Sequence, residues 1–115
     1  MTLKHYDMKV RVYNDIPAFG KGVVMLLEGI DQYGSLSKAY KEMGMAASKA
    51  WKILNRAEDD LGVKLVESVS GGKYGGSSQL TQEGKDYVER YHKFIDEIQF
   101  TADKAFQKYF GDDHE

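Results

Sequence analysis

A chain of 115 residues, of which 42% are hydrophobic and 30% charged, has the length and composition of one globular domain and leaves little room for a second. It contains no cysteine, which excludes disulfides and thiolate metal sites, and its N-terminal region lacks the apolar run of a signal peptide. No stretch is apolar enough to predict a membrane span, the composition suits a cytoplasmic protein, and the net charge of -2 does not by itself indicate a nucleic-acid partner.

The distribution of charge along the chain is more informative than its sum. Residues 1–80 carry 11 basic and 9 acidic side chains, whereas residues 81–115 carry 5 and 9. Between Tyr33 and Arg56, five basic residues accompany a single acid, Glu42. Such a run is typical of a solvated helix face, but it also suits a DNA-binding surface, and the placement of the residues must decide between the two.

The first predicted element is a half-buried strand over residues 7–13, where apolar and polar side chains alternate. Pro17 lies in the loop that follows. Residues 20–33 then carry apolar side chains at helical spacing, and Gly34 is expected to end this helix because glycine tolerates positive φ.

Two further helices are predicted on either side of a tight turn. Ser35 or Ser37 can cap a short helix over residues 38–43, which Gly44 ends. A longer helix is predicted over residues 46–61. Two helices joined by a short turn containing glycine are typical of a helix-turn-helix.

The third helix divides into two faces. Its apolar positions, including a tryptophan that we expect to be buried, are Ala47, Ala50, Trp51, Leu54 and Leu61. The opposite face carries Ser48, Lys49, Lys52, Asn55 and Arg56. Because its acids are confined to the last turns, the first half could enter a DNA major groove without repelling phosphates. Ile53 is either an edge of the core or a contact to a thymine methyl group.

A glycine-rich hairpin is predicted after the third helix. Residues 65–69 form one strand, residues 79–81 can return as its partner, and the connecting segment places Lys73 at its tip. Glycine lets a backbone approach phosphates closely, so this segment suits a DNA-contacting wing, although a flexible loop has the same composition. A phosphate-binding loop does not fit, because that motif opens a helix and here a strand should follow.

The last predicted helix begins after the cap Thr81 and extends to about Phe110. Apolar residues alternate at spacings of four and three along it, at Gly84, Val88, Tyr91, Ile95, Ile98, Ala102, Ala105 and Tyr109. Such a seam is typical of a coiled coil. The helix is too long for one small domain to cover, so a second copy of the chain is expected to cover its far half.

These segments together resemble the N-terminal DNA-binding domain of the ModE family of molybdate-responsive regulators, within the LysR-type winged-helix group. The resemblance rests on Phe19–Gly22, Leu26–Asp31, Gly34–Ser37, Gly44-Met45, Ala50-Trp51, Gly71–Lys73 with Gly75-Gly76, and Leu80-Thr81 with Gly84. It implies a mainly α protein with a small β-wing: a winged helix-turn-helix with an N-terminal strand and a long C-terminal dimerisation helix. Residues 1–80 would form the DNA-binding region, 81–110 the dimerisation helix and 111–115 a tail.

The resemblance implies a homodimeric regulator of transcription that binds double-stranded DNA in a sequence-specific manner. The expected DNA contacts are Ser35, Ser37, Lys38, Ser48, Lys49, Lys52, Arg56, Lys73 and Tyr74, with Ser48 and Arg56 as candidates for reading bases. The expected dimer interface is Val88, Tyr91, Ile95, Ile98, Ala102, Ala105 and Tyr109.

The chain departs from the family at three places. The family often has Ser-Tyr at Ala46-Ala47, a small residue at Tyr40 and glycine at Tyr74, so an operator sequence does not carry over. ModE proteins sense molybdate with separate C-terminal domains, and we expect neither such a domain nor a cofactor in this chain. A dimeric interaction module that has lost DNA binding is the alternative, given the modest charge.

Catalysis is not expected. The three histidines, His5, His92 and His114, are scattered, with no metal-ligand spacing and no visible nucleophile motif.

Overall fold

The computed structural model describes residues 4–69 and 77–111. Four helices and two short strands follow one another as α1 (Lys21–Tyr33), α2 (Leu36–Glu42), α3 (Ala47–Leu61), β1 (Val66–Ser68), β2 (Ser78–Leu80) and α4 (Gln82–Phe110). The two strands pair antiparallel, with Val66 opposite Leu80. This mainly helical arrangement is the predicted winged helix-turn-helix with a long C-terminal helix.

The ends of the helices are set by residues that satisfy free backbone groups. Gly34 ends α1 in the left-handed region, at φ 73°, and its N–H donates to the carbonyl of Ile30. Of the two candidate caps for α2, Ser35 is the one used: its Oγ accepts from the backbone N of Lys38 at 3.0 Å. Gly44, at φ 67°, makes the turn into α3.

One hydrophobic core joins the three short helices, the base of the hairpin and the start of α4. Its buried apolar side chains are Phe19, Val23, Val24, Leu26, Leu27, Ile30, Leu36, Ala39, Ala50, Leu54, Ala57, Leu65, Leu80 and Tyr91. Burying a large aliphatic or aromatic side chain stabilises a fold by about 1.5–3 kcal/mol, so this cluster fixes how α3 and the hairpin are held.

The predicted strand over residues 7–13 is not formed. A single antiparallel bridge joins Val12 to Phe19, where the N–H of Val12 donates to the Phe19 carbonyl at 2.8 Å. A ladder cannot extend further because α1 begins at Lys21, two residues after Phe19. The N-terminal segment instead lies along α4, where the hydroxyl of Tyr91 donates to the Val10 carbonyl at 2.8 Å.

The same segment continues along the far half of α4. The hydroxyl of Tyr6 donates to the carboxylate of Asp103, and its ring lies 4.9 Å from the ring of Phe106. This hydrogen bond raises the pKa of the Tyr6 hydroxyl and lowers the pKa of the Asp103 carboxyl. One flank of the long helix is therefore covered by the chain itself.

A second link holds the N-terminal loop to the end of α3. The carboxylate of Asp60 accepts from the backbone N–H groups of Asn14, Asp15 and Ile16 at 2.7–2.8 Å. Burial alone would raise the pKa of Asp60, but these three donors stabilise the charged form and the net effect is a lowered pKa. The loop is thus anchored next to the core rather than hanging free.

Two residues of α3 that were predicted to lie in the core are exposed in the structure. Trp51 is 52% exposed, and Ala47 is also exposed, whereas Ala50 and Leu54 are buried as predicted. The reason is that residues 46–49 are exposed throughout, so the start of α3 projects beyond the surface that α1 and α2 can cover. Leu61, which was also predicted to face the core, and Ile53 are half-buried at the edge of the core.

Trp51 is the only tryptophan, so its fluorescence reports this correction directly. We expect an emission maximum typical of indole in water, and a loss of less than about 1 kcal/mol of unfolding free energy in Trp51→Ala, because little packing is removed. Leu54→Ala is the control and should cost about 2–5 kcal/mol. Urea titrations of both variants measure the difference, and equal losses would place Trp51 back in the core.

Helix α4 has 29 residues and is therefore about 43 Å long. The molecule measures 64 × 28 × 21 Å, so the helix dominates its long dimension. The core holds the first part of α4, through Tyr91 and the half-buried Tyr87, Val88 and Ile95. Its C-terminal part extends past the three-helix core.

Candidate nucleic-acid interface

The exposed face of α3, from its projecting start to its third turn, carries four of the predicted DNA contacts. Ser48, Lys49, Lys52 and Arg56 are all exposed. Within residues 4–69 and 77–111, no carboxylate forms an ion pair with any of them, and the first turn of α3 has no acid. The structure therefore brings these four side chains together on one face that offers free positive charge.

The backbone at this end of α3 is also open. Its N-cap is Ala46, which provides no side-chain hydrogen bond, so the first N–H groups of the helix have no side-chain cap. Exposed N–H groups at a helix start can donate to phosphate oxygens, which is a common protein–DNA contact. The projecting end thus combines side-chain cations with backbone donors.

The predicted contacts on α2 differ from one another in exposure. Ser35 is only 4% exposed, and its hydroxyl is occupied as the cap of α2 and by Ser37, whose Oγ lies 3.0 Å away. Ser37 is half-buried and Lys38 is exposed. Among these three predicted contacts, Lys38 is therefore the one that offers a charge to a ligand.

The hairpin is held to α3 by a buried acid, Glu58, which is one of the acids in the last turns of that helix. Glu58 is 8% exposed, and its Oε2 accepts from the backbone N of Leu65 at 2.7 Å and of Val66 at 3.2 Å. Lys64 lies 3.6 Å from the other carboxylate oxygen. A sequence signal existed, because Glu58 follows the buried Leu54 by four residues and so shares its face.

The other side of the hairpin base is fixed by the start of α4. Thr81 accepts from the N of Gly84 at 2.9 Å, as the predicted cap should, and its hydroxyl donates to the Lys64 carbonyl at 2.6 Å. The N–H of Thr81 donates to the Leu65 carbonyl at 3.0 Å. These bonds fix where the hairpin leaves the core, while its tip, with Lys73 and Tyr74, falls in residues 70–76, outside the described residues.

The predicted dimer seam on α4 has two different parts. Tyr91 is 8% exposed and belongs to the chain's own core, where burial raises the pKa of its hydroxyl; Val88 and Ile95 are half-buried against that core. Farther along, Ile98 and Ala102 are half-buried outside the core cluster, and Ala105 and Tyr109 are exposed. The structure therefore leaves only the later part of the seam without a partner from the described chain.

That later part contributes to a largely apolar surface. A shallow groove of about 380 Å³ is lined by Phe94, Glu97, Ile98, Thr101, Ala102 and Ala105. We call this the distal groove. Phe94, which is 48% exposed, was absent from the predicted seam, although its spacing of four from Ile98 places it on the same face.

Other kinds of site find little support in the described chain. Residues 4–69 and 77–111 contain no group of three or more His, Asp or Glu side chains placed to hold a metal ion. Within the same residues, no helix has both the length and the apolar character that crossing a membrane requires.

Comparison with known proteins agrees with this architecture. Molybdenum transport protein ModE of Azotobacter vinelandii is 31% identical over 109 residues, which cover 94% of this chain and 40% of that protein. The DNA-binding transcriptional dual regulator ModE of Escherichia coli (strain K12) is 33% identical over 90 residues, covering 78% of this chain and 33% of the relative. The resemblance to ModE proteins is confirmed, and the chain spans less than half the length of these relatives.

Solved structures show the same fold at low sequence identity. CbnR, a LysR family transcriptional regulator, superposes with a TM-score of 0.57 at 19% identity over 75% of this chain and 28% of its own. The CbnR_DBD-DNA complex gives a TM-score of 0.57 at 18% identity, covering 73% of this chain and 91% of that one. The family model of the bacterial regulatory helix-turn-helix protein, lysR family, matches residues 24–85. The chain therefore belongs to the lysR family of bacterial regulatory helix-turn-helix proteins.

Proposed function

We propose that this chain regulates transcription by binding double-stranded DNA in a sequence-specific manner as a homodimer. The observation that carries the proposal is the exposed face of α3, where Lys49, Lys52 and Arg56 project from the core without acidic partners among the described residues. Known relatives named as transcriptional regulators support it. The proposal includes no catalytic step, and it places the protein in the cytoplasm with bacterial DNA.

Each part of the reading surface has a distinct role. The exposed face of α3 enters the major groove, where Ser48 and Arg56 contact base edges and Lys49 and Lys52 contact phosphates. Arg56 suits base reading because a guanidinium can pair bidentately with guanine. Lys38 contacts the backbone from α2, and residues 65–80 contact it as the wing.

The dimer arises from the distal groove on α4. The N-terminal segment packs against Phe106 and leaves Phe94 and Ala105 of the groove exposed. A second copy offers an identical apolar surface, and a two-fold pairing would bury both at once. Residues 1–80 then act as the DNA-binding region and residues 81–110 as the dimerisation helix, with the two α3 helices in successive major grooves about 34 Å apart.

The test is a footprint and a salt titration of DNA affinity for wild type, Lys52→Ala and Arg56→Ala. Losing a phosphate contact should weaken binding to every sequence and reduce the salt slope by about one per contact, hence about two per dimer. Lys52→Ala should show that pattern. Arg56→Ala should instead relax the preference at one position in each half-site, at a cost of about 1–3 kcal/mol per contact.

Lys104→Ala is the matched control, because it removes one positive charge from the far part of α4 and should leave the footprint and salt slope unchanged. If neither α3 variant differs from Lys104→Ala, this helix does not read DNA. The protein is then better described by the alternative, a dimeric winged-helix module that binds other proteins.

A further inference from the structure

A second cavity, separate from the projecting face of α3, lies where the N-terminal segment crosses the first half of α4. It has a volume of about 520 Å³, within the roughly 300–1,000 Å³ of small-molecule sites. Its walls include the rings of Phe19, Tyr87, Tyr91 and Phe94 and the side chains of Arg11 and Arg90. We call it the arginine–aromatic cavity.

The aromatic walls form a fixed apolar surface. The ring of Phe19 lies 5.4 Å from that of Tyr87 and 5.7 Å, nearly perpendicular, from that of Tyr91. Phe19 is 1% exposed and Tyr91 is held by its hydrogen bond to Val10, so neither ring is free to leave. These two buried rings hold the more exposed Tyr87 in place and give the cavity a rigid apolar floor.

Two arginines supply positive charge at the cavity wall. Among residues 4–69 and 77–111, neither Arg11 nor Arg90 forms an ion pair. The guanidinium of Arg90 lies over the ring of Tyr87, 5.2 Å from its centre. The stem of Arg11 packs so closely against Gly20 that a β-carbon there would lie 2.9 Å from its Cγ. Each arginine therefore has one contact that favours a position beside the cavity.

From this combination we propose that the arginine–aromatic cavity binds a small organic anion with an aromatic body, such as an aromatic carboxylate. The carboxylate pairs with the guanidinium groups, which match it in planar geometry, while the ring covers the exposed parts of Phe94 and Tyr87. The cavity is lined by the N-terminal segment, by Phe19 just before α1, and by α4, so a bound ligand would contact all three.

The probe is 2-naphthoate, with 2-naphthamide as its uncharged match, titrated into the isotope-labelled full chain and followed by NMR. We expect 2-naphthoate to bind with a Kd of about 1 mM or tighter, and to shift the amide signal of Gly20 rather than those around Ser48. The amide should bind about tenfold more weakly, because it lacks the charge that pairs with arginine.

Arg11→Gln and Arg90→Gln should each weaken 2-naphthoate binding about tenfold, while Arg56→Gln, the matched control on α3, should leave it unchanged. Three results would each overturn the proposal. The first is equal affinity for 2-naphthoate and 2-naphthamide, the second is unchanged 2-naphthoate affinity in both cavity variants, and the third is no shift of the Gly20 amide signal with several millimolar ligand.

Sedimentation of the same samples tests whether a second copy of the chain occupies the cavity instead. If Arg90→Gln dissociates the dimer and 2-naphthoate does the same to wild type, the cavity belongs to a second copy and not to a ligand. DNA is absent from every sample, so failure here leaves the DNA-binding proposal untouched.

Discussion

In sedimentation at micromolar concentration, wild type should behave as a dimer and the Ile98→Asp variant as a monomer. Ile98 lines the distal groove and lies outside the chain's own core cluster. In a two-fold dimer, the substitution places an unpaired carboxylate in an apolar interface, which costs several kcal/mol for each buried ion. The two copies contribute equally, so the dissociation constant should rise by more than a thousandfold.

The control for this experiment is Phe100→Asp, which introduces the same charge two residues away and so on the opposite side of the helix. Phe100 is 63% exposed and should leave the dimer intact. Ile95 is a poorer choice because it packs against the core, so its replacement would mix folding with assembly. A wild-type protein that sediments as a monomer, or a Phe100→Asp variant that dissociates while Ile98→Asp does not, would contradict the proposed interface.

Gly84→Ala should strongly destabilise the fold, even though alanine is the better helix former. A β-carbon at Gly84 would overlap the carbonyl oxygen of Leu65, closer than atoms can approach. That carbonyl accepts from the N–H of Thr81 and cannot move without breaking the bond that holds the hairpin to α4. Overpacking typically costs about 1–3 kcal/mol, and a backbone contact this short places the cost at the upper end or beyond.

Gly22→Ala provides the comparison, because a β-carbon there meets nothing within 4 Å. It lies in the first turn of α1 and should stabilise the protein slightly, by up to about 1 kcal/mol. Urea unfolding of the two variants should therefore give shifts of opposite sign. If Gly84→Ala were as stable as wild type, the close packing of α4 on the hairpin base would be wrong.

The sequence alone determined the helical framework, because the signals that begin and end helices act over a few residues. Gly34 and Thr81 occupy the terminal positions predicted for them, and Ser35 proved to be one of the two caps considered. The conformation of such a residue depends on its own backbone and on hydrogen bonds to near neighbours. No distant segment is needed to place these residues, so the local sequence was sufficient to predict where the helices begin and end.

The basic face of α3 was equally accessible from sequence. Its lysines and arginine recur at helical spacing, and the acids fall in the last turns, which periodicity reveals without a fold. The prediction that the lysines and the arginine share one exposed face is confirmed. Their contacts with DNA stay a prediction. Glu58 shows the limit: its spacing marked it as facing inward, but only the fold supplies the two backbone N–H groups that its carboxylate needs.

Burial was decided by the tertiary structure. Trp51 has the spacing of a core residue, yet it is exposed because α3 projects beyond the helices that could cover it. The segment over residues 7–13 alternates like a strand, yet it packs on α4 because no partner strand is available beside it. A side chain is buried only when another element meets it, and that depends on contacts between residues far apart in the chain.

Helix α4 shows both influences in one element. Its apolar spacing is continuous from Gly84 to Tyr109, so the sequence determined a single seam without indicating what would cover each part. The fold divides that seam, because the core reaches only as far as Ile95, while Ile98 and the residues beyond it lie past the end of the three-helix core. Periodicity determines which way a side chain points, whereas the size and position of the neighbouring elements decide whether anything lies there to receive it.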